Sequence, residues 1–571
     1  MGGFSKVPLL QKAYGGTDRR TSYRPPTMTS SDDRRSRAGL ASYLSLDQSP
    51  PQQFENQLRD PAPRRAFEPI SWTALIVVVV ATLLPRMVMA WRIPTICVDG
   101  TTYVTLAESF EQGDFQVDSI YRFNLYPLIL AILHRCGISW ETAGEAWGVI
   151  AGTAAVLPLF GWMRRQFNQR VAVVGGLLYA VHPELIEWSP ELVRDQTFWL
   201  LFTTSCYCLW RAVVEVRIRF FAAAGVCLPA ALFCRFEAVF LLIPLVMWTA
   251  VRWWHLRESR WRLGFGVASV AAVPIIAATI LSAGTWRVTE LSQVVYVEPL
   301  RRVENMARTL VADESPLCEV PLSNSPPFSW RLAWKFLRIS ERGLTAFYGL
   351  FLIVGLTAYA RLFFRSDHLP ITLLGLGVSA GIWIHLWFTG EASSRYVLSI
   401  AIVAMRPAAL CLMRLNHFVL RRLERLQDVR VNLQLAAAAA PAVIAVFGLA
   451  DAWSTQYDSR AAKAQLGLWI RDECGERCVV AGADEQLAIV GFYARAVLLK
   501  LSTHADARQL FDEIDRSHAD CIIVSQPPLS DAASRALWEG HGALGFEQVD
   551  EARLPTDGKE TLFLVRPNML R

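Results

Sequence analysis

The chain has 571 residues, 53% of them hydrophobic, and its 57 basic and 51 acidic side chains give a net charge of +6. Soluble domains average about 45–50% apolar residues, whereas repeated apolar runs of about 18 residues or more mark membrane-spanning helices. The composition therefore excludes an ordinary soluble protein and predicts a polytopic α-helical membrane protein. We expect membrane lipid around the chain and no nucleic-acid partner.

Residues 1–70 make up a polar first segment with the basic clusters RR, DDRR and PAPRR among Ser and Pro residues. Such a composition cannot bury enough apolar surface to fold, so we expect a disordered basic tail. We expect no cleaved signal peptide, because no short apolar region with a small-residue cleavage site opens the chain.

A transmembrane domain is predicted over residues 71–451, with about eleven spans. The predicted spans lie near 71–91, 143–163, 171–186, 193–213, 219–235, 237–253, 263–283, 343–362, 369–388, 395–412 and 432–451. The basic loops between them are 163–170, 211–219, 251–262, 360–365 and 413–430. All five fall on one side if the N-terminal tail is cytoplasmic, which the positive-inside rule favours. An odd number of spans then places the C-terminus outside, and we expect a bacterial inner membrane.

The first outer loop, residues 92–142, contains Asp99 directly after the first span. A lone carboxylate at that place is usually a solvated loop residue or a topology anchor. Here it is followed by TTYVTLAESF, in which apolar side chains recur at helical spacing on one face. We therefore predict a helix lying in the membrane interface that keeps Asp99 at the surface.

Ionisable and aromatic residues gather at the outer ends of other spans. They are Arg86, Glu191, Arg194, Asp195, Arg235, Glu237, Arg395 and Tyr396. Charges at such depths are costly unless they pair with each other or face a polar cavity. Two interpretations stay open: local pairs such as Arg235 with Glu237 satisfy themselves, or acids and arginines converge on one outward-facing cavity. In the second case arginines would hold a phosphate and a carboxylate would act as general base.

Residues 452–571 are predicted to form a small extracytoplasmic α/β domain, because apolar strands alternate with amphipathic helices. No Gly-rich dinucleotide loop is present, which favours a structural or docking role over nucleotide binding. Cys474 and Cys478 either pair or remain two unpaired thiols, and the spacing of the eleven cysteines does not resemble a zinc site.

Several ordered motifs resemble the GT-C glycosyltransferases of the protein O-mannosyltransferase and aminoarabinose-transferase type. They are D-x-x-x-Y at Asp99 and Tyr103, the YPLILAIL segment with Tyr126, S-P-E-L-V-R-D before the fourth span, R-F-E at 235–237 and S-R-Y at 394–396. The resemblance covers about residues 71–412. It implies a polyprenyl-phosphate-sugar donor, a site on the non-cytoplasmic face and a first-loop aspartate as catalytic base, a role that falls on Asp99.

The remaining site residues are predicted from their positions in the first outer loop and at the outer ends of the spans. Arg235 and Arg395 would bind the donor phosphate with Arg86 and Arg194 behind them, and Tyr103, Tyr126, Glu191, Glu237 and Tyr396 would line the cavity. Many members carry a second acid directly after the first, where this chain has Gly100. Any role of that acid either passes to another residue, for which Asp195 is the best candidate, or is absent. We expect no required cofactor and no metal, although clustered acids can bind a divalent cation.

The favoured hypothesis is an inverting glycosyltransferase that moves a sugar from a polyprenyl-phosphate donor to a protein, lipid or polysaccharide acceptor. One alternative is a transporter or flippase, although the charges lie at one face rather than near the midplane. Another is a non-catalytic assembly protein of the cell envelope, which would gain support if Asp99 and Asp195 were far apart. The outer loop 284–342 would either cover the cavity or bind the acceptor.

Overall fold

A computed structural model describes fourteen segments of the chain. They are residues 71–93, 95–113, 125–255, 260–270, 272, 330–365, 368–389, 392–424, 433–454, 458–482, 487–501, 507–525, 546–549 and 561–565. The predicted tail 1–70 and residues 284–329 of the predicted outer loop lie outside the described residues.

The described helices up to residue 255 are, in chain order, α1 Trp72–Arg92, α2 Val98–Glu111, α3 Leu125–Arg135, α4 Trp140–Ala154, α5 Val156–Gln166, α6 Gln169–Ala180, α7 Pro183–Glu187, α8 Asp195–Glu215, α9 Ile218–Cys234 and α10 Leu242–His255. Side-chain caps explain where several begin: Ser71, Ser139 and Asn168 each accept a hydrogen bond from a backbone N–H in the first turn. A 3₁₀ helix, Phe236–Leu241, joins α9 to α10.

The later helices of the membrane region are α11 Trp330–Leu344, α12 Ala346–Ala358, α13 Ala360–Phe363, α14 Leu369–Thr389, α15 Leu398–Glu424 and α16 Leu433–Ser454. A second 3₁₀ helix, Ser394–Val397, leads into α15. The axes of α11 and α12 differ by 98°. The bend falls at Thr345, whose φ of 54° interrupts the helical backbone.

Six helical stretches among the described residues are long and apolar enough to cross a membrane, and the bent pair α11–α12 would make a seventh. Some predicted spans correspond to shorter helices: α6 has 12 residues and α9 has 17. Helices of that length rise about 18 and 26 Å, less than the roughly 30 Å of a bilayer core. The chain is thus an apolar, multi-helix membrane protein, and the count of eleven spans stays a prediction.

Helix α2 lies where the sequence predicts a surface helix. Its apolar face, Tyr103, Leu106, Ala107 and Phe110, is buried and packs in one cluster with residues of α3. Protein packing therefore holds the start of α2, and with it Asp99, in a fixed position.

The C-terminal region carries a five-stranded sheet in the order β2-β1-β3-β5-β4. The strands are β1 Val479–Gly482, β2 Val497–Lys500, β3 Cys521–Ser525, β4 Glu547–Gln548 and β5 Thr561–Val565, and the helices are α17 Asp458–Cys474, α18 Leu487–Ala494 and α19 Ala507–Ser517. The first three strands pair in parallel, whereas β5 pairs antiparallel with β3 and β4. The sequence predicts β1, β2 and β3 but misses β4 and β5.

Candidate functional site

The pair formed by Asp99 and Arg395 is the most accessible part of the site. Asp99 lies in the first turn of α2, where the helix dipole favours a negative side chain. Its Oδ2 is 2.5 Å from Nη2 of Arg395, which stands in the 3₁₀ helix before α15. The side chains are 37% and 19% exposed. A carboxylate and a guanidinium therefore face each other where a substrate can reach both.

Arg395 keeps donor capacity beyond this pair. Its guanidinium lies 5.3 Å from the centre of the Trp188 ring, which fixes its plane from one side. Its Nε is buried and has no hydrogen-bond partner within the part of the chain that the structure describes. A buried cationic donor in this condition can bind an anionic ligand.

Asp195, Arg235 and Glu237 form a second, buried ion cluster. Asp195 begins α8 and pairs with Nη1 of Arg235, which caps the end of α9. Nε and Nη2 of Arg235 donate to one oxygen of Glu237 at 3.0 and 2.7 Å, and the Tyr396 ring lies 4.4 Å from its guanidinium. Only 3% of the Arg235 side chain is exposed. This cluster is held by its own contacts, as the self-pairing interpretation of Arg235 and Glu237 expects.

The two ion clusters lie next to each other. Arg395 is within electrostatic range of Asp99, Asp195 and Arg235. Tyr103 is buried near Asp99, Asp195, Arg395 and Arg194, and burial raises the pKa of its phenol well above its usual value. The Tyr103 ring packs edge-to-face on Tyr126, with centres 5.3 Å apart. The structure thus brings together most of the residues that the sequence predicts for the site.

Arg86 has different surroundings. It is fully buried, and it donates to the Ser189 hydroxyl at 2.9 Å and to the carbonyls of Thr82 and Ala180 at 2.8 and 3.4 Å. These contacts tie α1 to the end of α6 and the segment after α7, and none of them is to an acid of the two ion clusters. Its Nη2 is buried and has no hydrogen-bond partner among the described residues, so the phosphate contact of Arg86 stays a prediction.

Glu191 joins the site to the C-terminal region. The residue is 2% exposed, and its carboxylate accepts a hydrogen bond of 2.6 Å from Arg460 of α17. Burial raises the pKa of Glu191, and the Arg460 charge opposes that rise. A second link is Tyr493, whose hydroxyl donates to Glu141 and accepts from the Ile96 N–H at 3.3 Å. The sequence did not indicate Arg460 or Tyr493, because neither stands in a motif.

Glu184 is a further residue that sequence reasoning missed. Its Oε2 accepts hydrogen bonds from the Trp188 indole N–H at 2.9 Å and from the Ser394 hydroxyl at 3.1 Å. Burial raises the pKa of this carboxyl. Because Trp188 packs on Arg395 and Ser394 precedes it in the chain, one carboxylate fixes two of the neighbours that orient Arg395. The available signal was its place in the sequence PEL at 183–185, shortly before the S-P-E-L-V-R-D motif.

Gly100 is enclosed by its neighbours. A Cβ atom at this position would lie 2.5 Å from Cγ1 of Ile96 and 2.9 Å from Cβ of Leu192, well inside van der Waals contact. A second acid directly after Asp99 therefore has no room, which is a physical reason for this chain's departure from the family pattern. Among the described residues no group of three or more His, Cys, Asp or Glu side chains has a geometry that could hold a metal ion.

Comparison with known proteins gives a family match and a shared fold. The family described as dolichyl-phosphate-mannose-protein mannosyltransferase matches residues 125–280. The structure of the oligosaccharyltransferase of Archaeoglobus fulgidus, in complex with Zn and sulfate, is 11% identical, with a TM-score of 0.53, over 86% of this chain and 73% of that one. ArnT of Cupriavidus metallidurans bound to undecaprenyl phosphate is 11% identical, with a TM-score of 0.55, over 87% and 98% of the two chains. Comparison with curated protein sequences found no match.

Proposed function

We propose that this chain is a glycosyltransferase of the GT-C type, which moves a sugar from a polyprenyl-phosphate donor to an acceptor at the non-cytoplasmic membrane face. The family match over residues 125–280 and the fold shared with ArnT and the archaeal oligosaccharyltransferase support this proposal. The observation that carries this proposal is the pair of Asp99 and Arg395. It sets an accessible carboxylate beside a guanidinium whose buried Nε has no partner among the described residues. Such a pair suits a reaction that removes one proton and releases one phosphate.

Asp99 acts as the general base. Its carboxylate takes the proton of the acceptor hydroxyl or amine while the acceptor atom attacks the anomeric carbon. The bond from that carbon to the phosphate oxygen breaks, and polyprenyl phosphate leaves with the electron pair, so the anomeric configuration inverts. Arg395 holds Asp99 in place before the donor binds. As negative charge develops on the phosphate, the Arg395 guanidinium stabilises it electrostatically.

The buried cluster has a supporting role in this mechanism. Arg235 already donates to Glu237 and pairs with Asp195, so it adds positive potential behind Arg395 rather than a direct phosphate contact. Asp195 is 1% exposed and paired. We therefore assign it to positioning Arg235 and not to the role of a second catalytic acid. Arg194, beside Tyr103, is the remaining cation for the donor.

The placement of the reaction follows the charge distribution of the loops. We propose a cytoplasmic N-terminus, a site at the outer surface of a bacterial inner membrane and a C-terminal region outside that covers the site through Arg460 and Tyr493. An acceptor would then reach Asp99 along the edge of this region.

The test is transfer of label from radiolabelled polyprenyl-phosphate sugars in membranes that contain the wild type, Asp99→Asn or Glu108→Gln. Protein, lipid and polysaccharide fractions are counted separately, so that the acceptor class is read directly. Loss of a general base lowers the rate by about 10²–10⁴-fold, and we expect that loss in Asp99→Asn. Glu108, an exposed acid on the same helix, is the matched control and should leave transfer unchanged.

Equal transfer by the wild type and Asp99→Asn would show that Asp99 is not the general base, while the proposal that the chain is a glycosyltransferase would stand. Absence of transfer from every donor, with protein of wild-type thermal stability in the membrane, would contradict the proposed function and favour the transporter or assembly hypotheses.

A further inference from the structure

Three cysteines meet in the C-terminal region, away from the proposed reaction. Cys474 is the last residue of α17, Cys478 directly precedes β1, and Cys521 is the first residue of β3. Cys478 and Cys521 are 4% and 0% exposed and belong to one hydrophobic cluster, against which the partly exposed Cys474 packs. The three side chains therefore pack in one place, where the Cys521 thiol interacts with both other thiols. The sequence had suggested only Cys474 and Cys478 as partners.

Backbone geometry separates the possible pairs. In the parallel register of β1 and β3, Cys521 lies opposite Val480. Cys478 precedes Val480 by two residues, so one strand spacing and two residues of rise put its Cα roughly 8 Å from that of Cys521. Disulfides need Cα atoms within about 7 Å, so this pair cannot close without backbone movement. Cys478 interacts with both Cys521 and Cys474, whereas the strongest interaction of the Cys521 thiol is with Cys474.

We propose that Cys474 and Cys521 are a redox pair that closes to a disulfide when the chain meets a small disulfide oxidant, with Cys478 left as a thiol. Exposure gives the order of events. The Cys474 thiolate attacks one sulfur of the oxidant, releases one thiol and becomes a mixed disulfide. The Cys521 thiol then attacks the Cys474 sulfur, and its proton goes to the departing thiolate, which leaves as the second thiol. One oxidant disulfide is thereby reduced to two thiols for each protein disulfide formed.

The bond would act on the helix that contacts the site. Helix α17 carries Arg460, which reaches Glu191, and ends at Cys474. A bond to Cys521 attaches the end of that helix to the central strands of the sheet. It closes a loop of 47 residues (521 minus 474), a length at which a cross-link restricts the unfolded chain strongly. The oxidised protein should therefore hold α17, and the contact of Arg460 with Glu191, more firmly than the reduced protein.

The test is a non-reducing peptide map of the purified full-length protein in detergent, with and without oxidised glutathione, after the remaining thiols are alkylated in denaturant. The expected product joins the peptides of Cys474 and Cys521, while Cys478 is alkylated. In Cys521→Ala the second step is missing, so Cys474 should carry glutathione as a stable mixed disulfide. Cys136, an exposed thiol outside the cluster, reports in every sample that the oxidant reacted.

Cys521→Ala changes a core residue and could misfold, so a second variant is needed. Cys474→Ser changes only a partly exposed side chain and tests the same cross-link. It should abolish the cross-link and leave Cys521 alkylated. A peptide joining Cys474 to Cys478, or alkylation of all three thiols while Cys136 carries glutathione, would overturn the proposal.

Discussion

The two ion clusters use the same residue types in opposite ways. In the buried cluster, Arg235 is 3% exposed, and it pairs with Asp195 and donates from two nitrogens to Glu237. In the accessible cluster, Arg395 pairs with one acid, Asp99, and its Nε has no partner among the described residues. A buried charge must be compensated to be stable, whereas an incompletely compensated charge near solvent is available to a ligand. From this comparison we propose a structural role for the first cluster and a chemical role for the second.

The largest expected effect is the loss of stability in Arg235→Leu. The change leaves Asp195 and Glu237 without their shared cation, and removing one partner of a buried ion pair costs about 3–5 kcal/mol. We expect a lower apparent thermal midpoint in detergent and less folded protein in the membrane. Arg338→Leu, an exposed arginine on α11, is the matched control and should leave the midpoint unchanged. An unchanged midpoint in Arg235→Leu would mean that the buried cluster does not hold the helices together.

Arg395→Gln should lower the rate of transfer and leave the thermal stability nearly unchanged. Removing one preorganised donor at a developing charge costs about 10²–10³-fold in rate, and we expect transfer to fall by that factor. A partly exposed ion pair contributes only about 0–1 kcal/mol, so the thermal midpoint should move little. Arg395→Lys keeps the charge but not the planar donor set and should recover part of the activity. Full transfer by Arg395→Gln would contradict the proposal that the accessible cluster takes part in the reaction and the buried cluster does not.

Much of this arrangement was accessible from sequence, because the site residues fall at the ends of apolar runs. Position along a run places Asp99, Asp195, Arg235 and Arg395 at one end of the helix bundle. The same rule put Arg86 with them. Among the described residues it donates hydrogen bonds to Ser189 and Thr82 rather than to the acids of the two clusters, a difference that a run's length does not indicate, because it does not show which side of a helix a residue faces.

The residues that sequence reasoning missed act across long separations. Glu191 and Arg460 are 269 positions apart, and Glu184 and Ser394 are 210 apart. No local pattern encodes such contacts. Strand β4 was missed because two residues are too few to show a strand pattern. The apolar run of β5, Thr561–Val565, was visible in the sequence and was not recognised as a strand.

Glu184 tests how Arg395 is oriented, with a smaller expected effect. Glu184→Leu removes the acceptor for Trp188 and Ser394, and a hydrogen bond to a charged group is worth about 1.5–3 kcal/mol. If part of that energy orients Arg395, transfer should fall by roughly tenfold, since each 1.4 kcal/mol is a factor of ten. Glu184→Gln keeps an acceptor and should restore most of the activity at equal thermal stability. Equal losses in both variants would point to packing rather than to positioning.

The smallest expected effect is a pH dependence at Glu191. Burial raises the pKa of this carboxyl in the folded protein above its ordinary value of 4.5. Between the two pKa values the folded state binds more protons than the unfolded state. The contribution to stability is therefore complete below about pH 4.5 and is lost as the pH rises through the folded pKa. Glu191→Gln cannot ionise, so its thermal midpoint should match the wild type in acid and exceed it as the pH rises. If the thermal midpoint of the wild type instead rises above that of the variant as the pH rises, the ion pair with Arg460 stabilises the charged carboxylate by more than burial destabilises it. Glu191 would then belong with the compensated charges of the buried cluster.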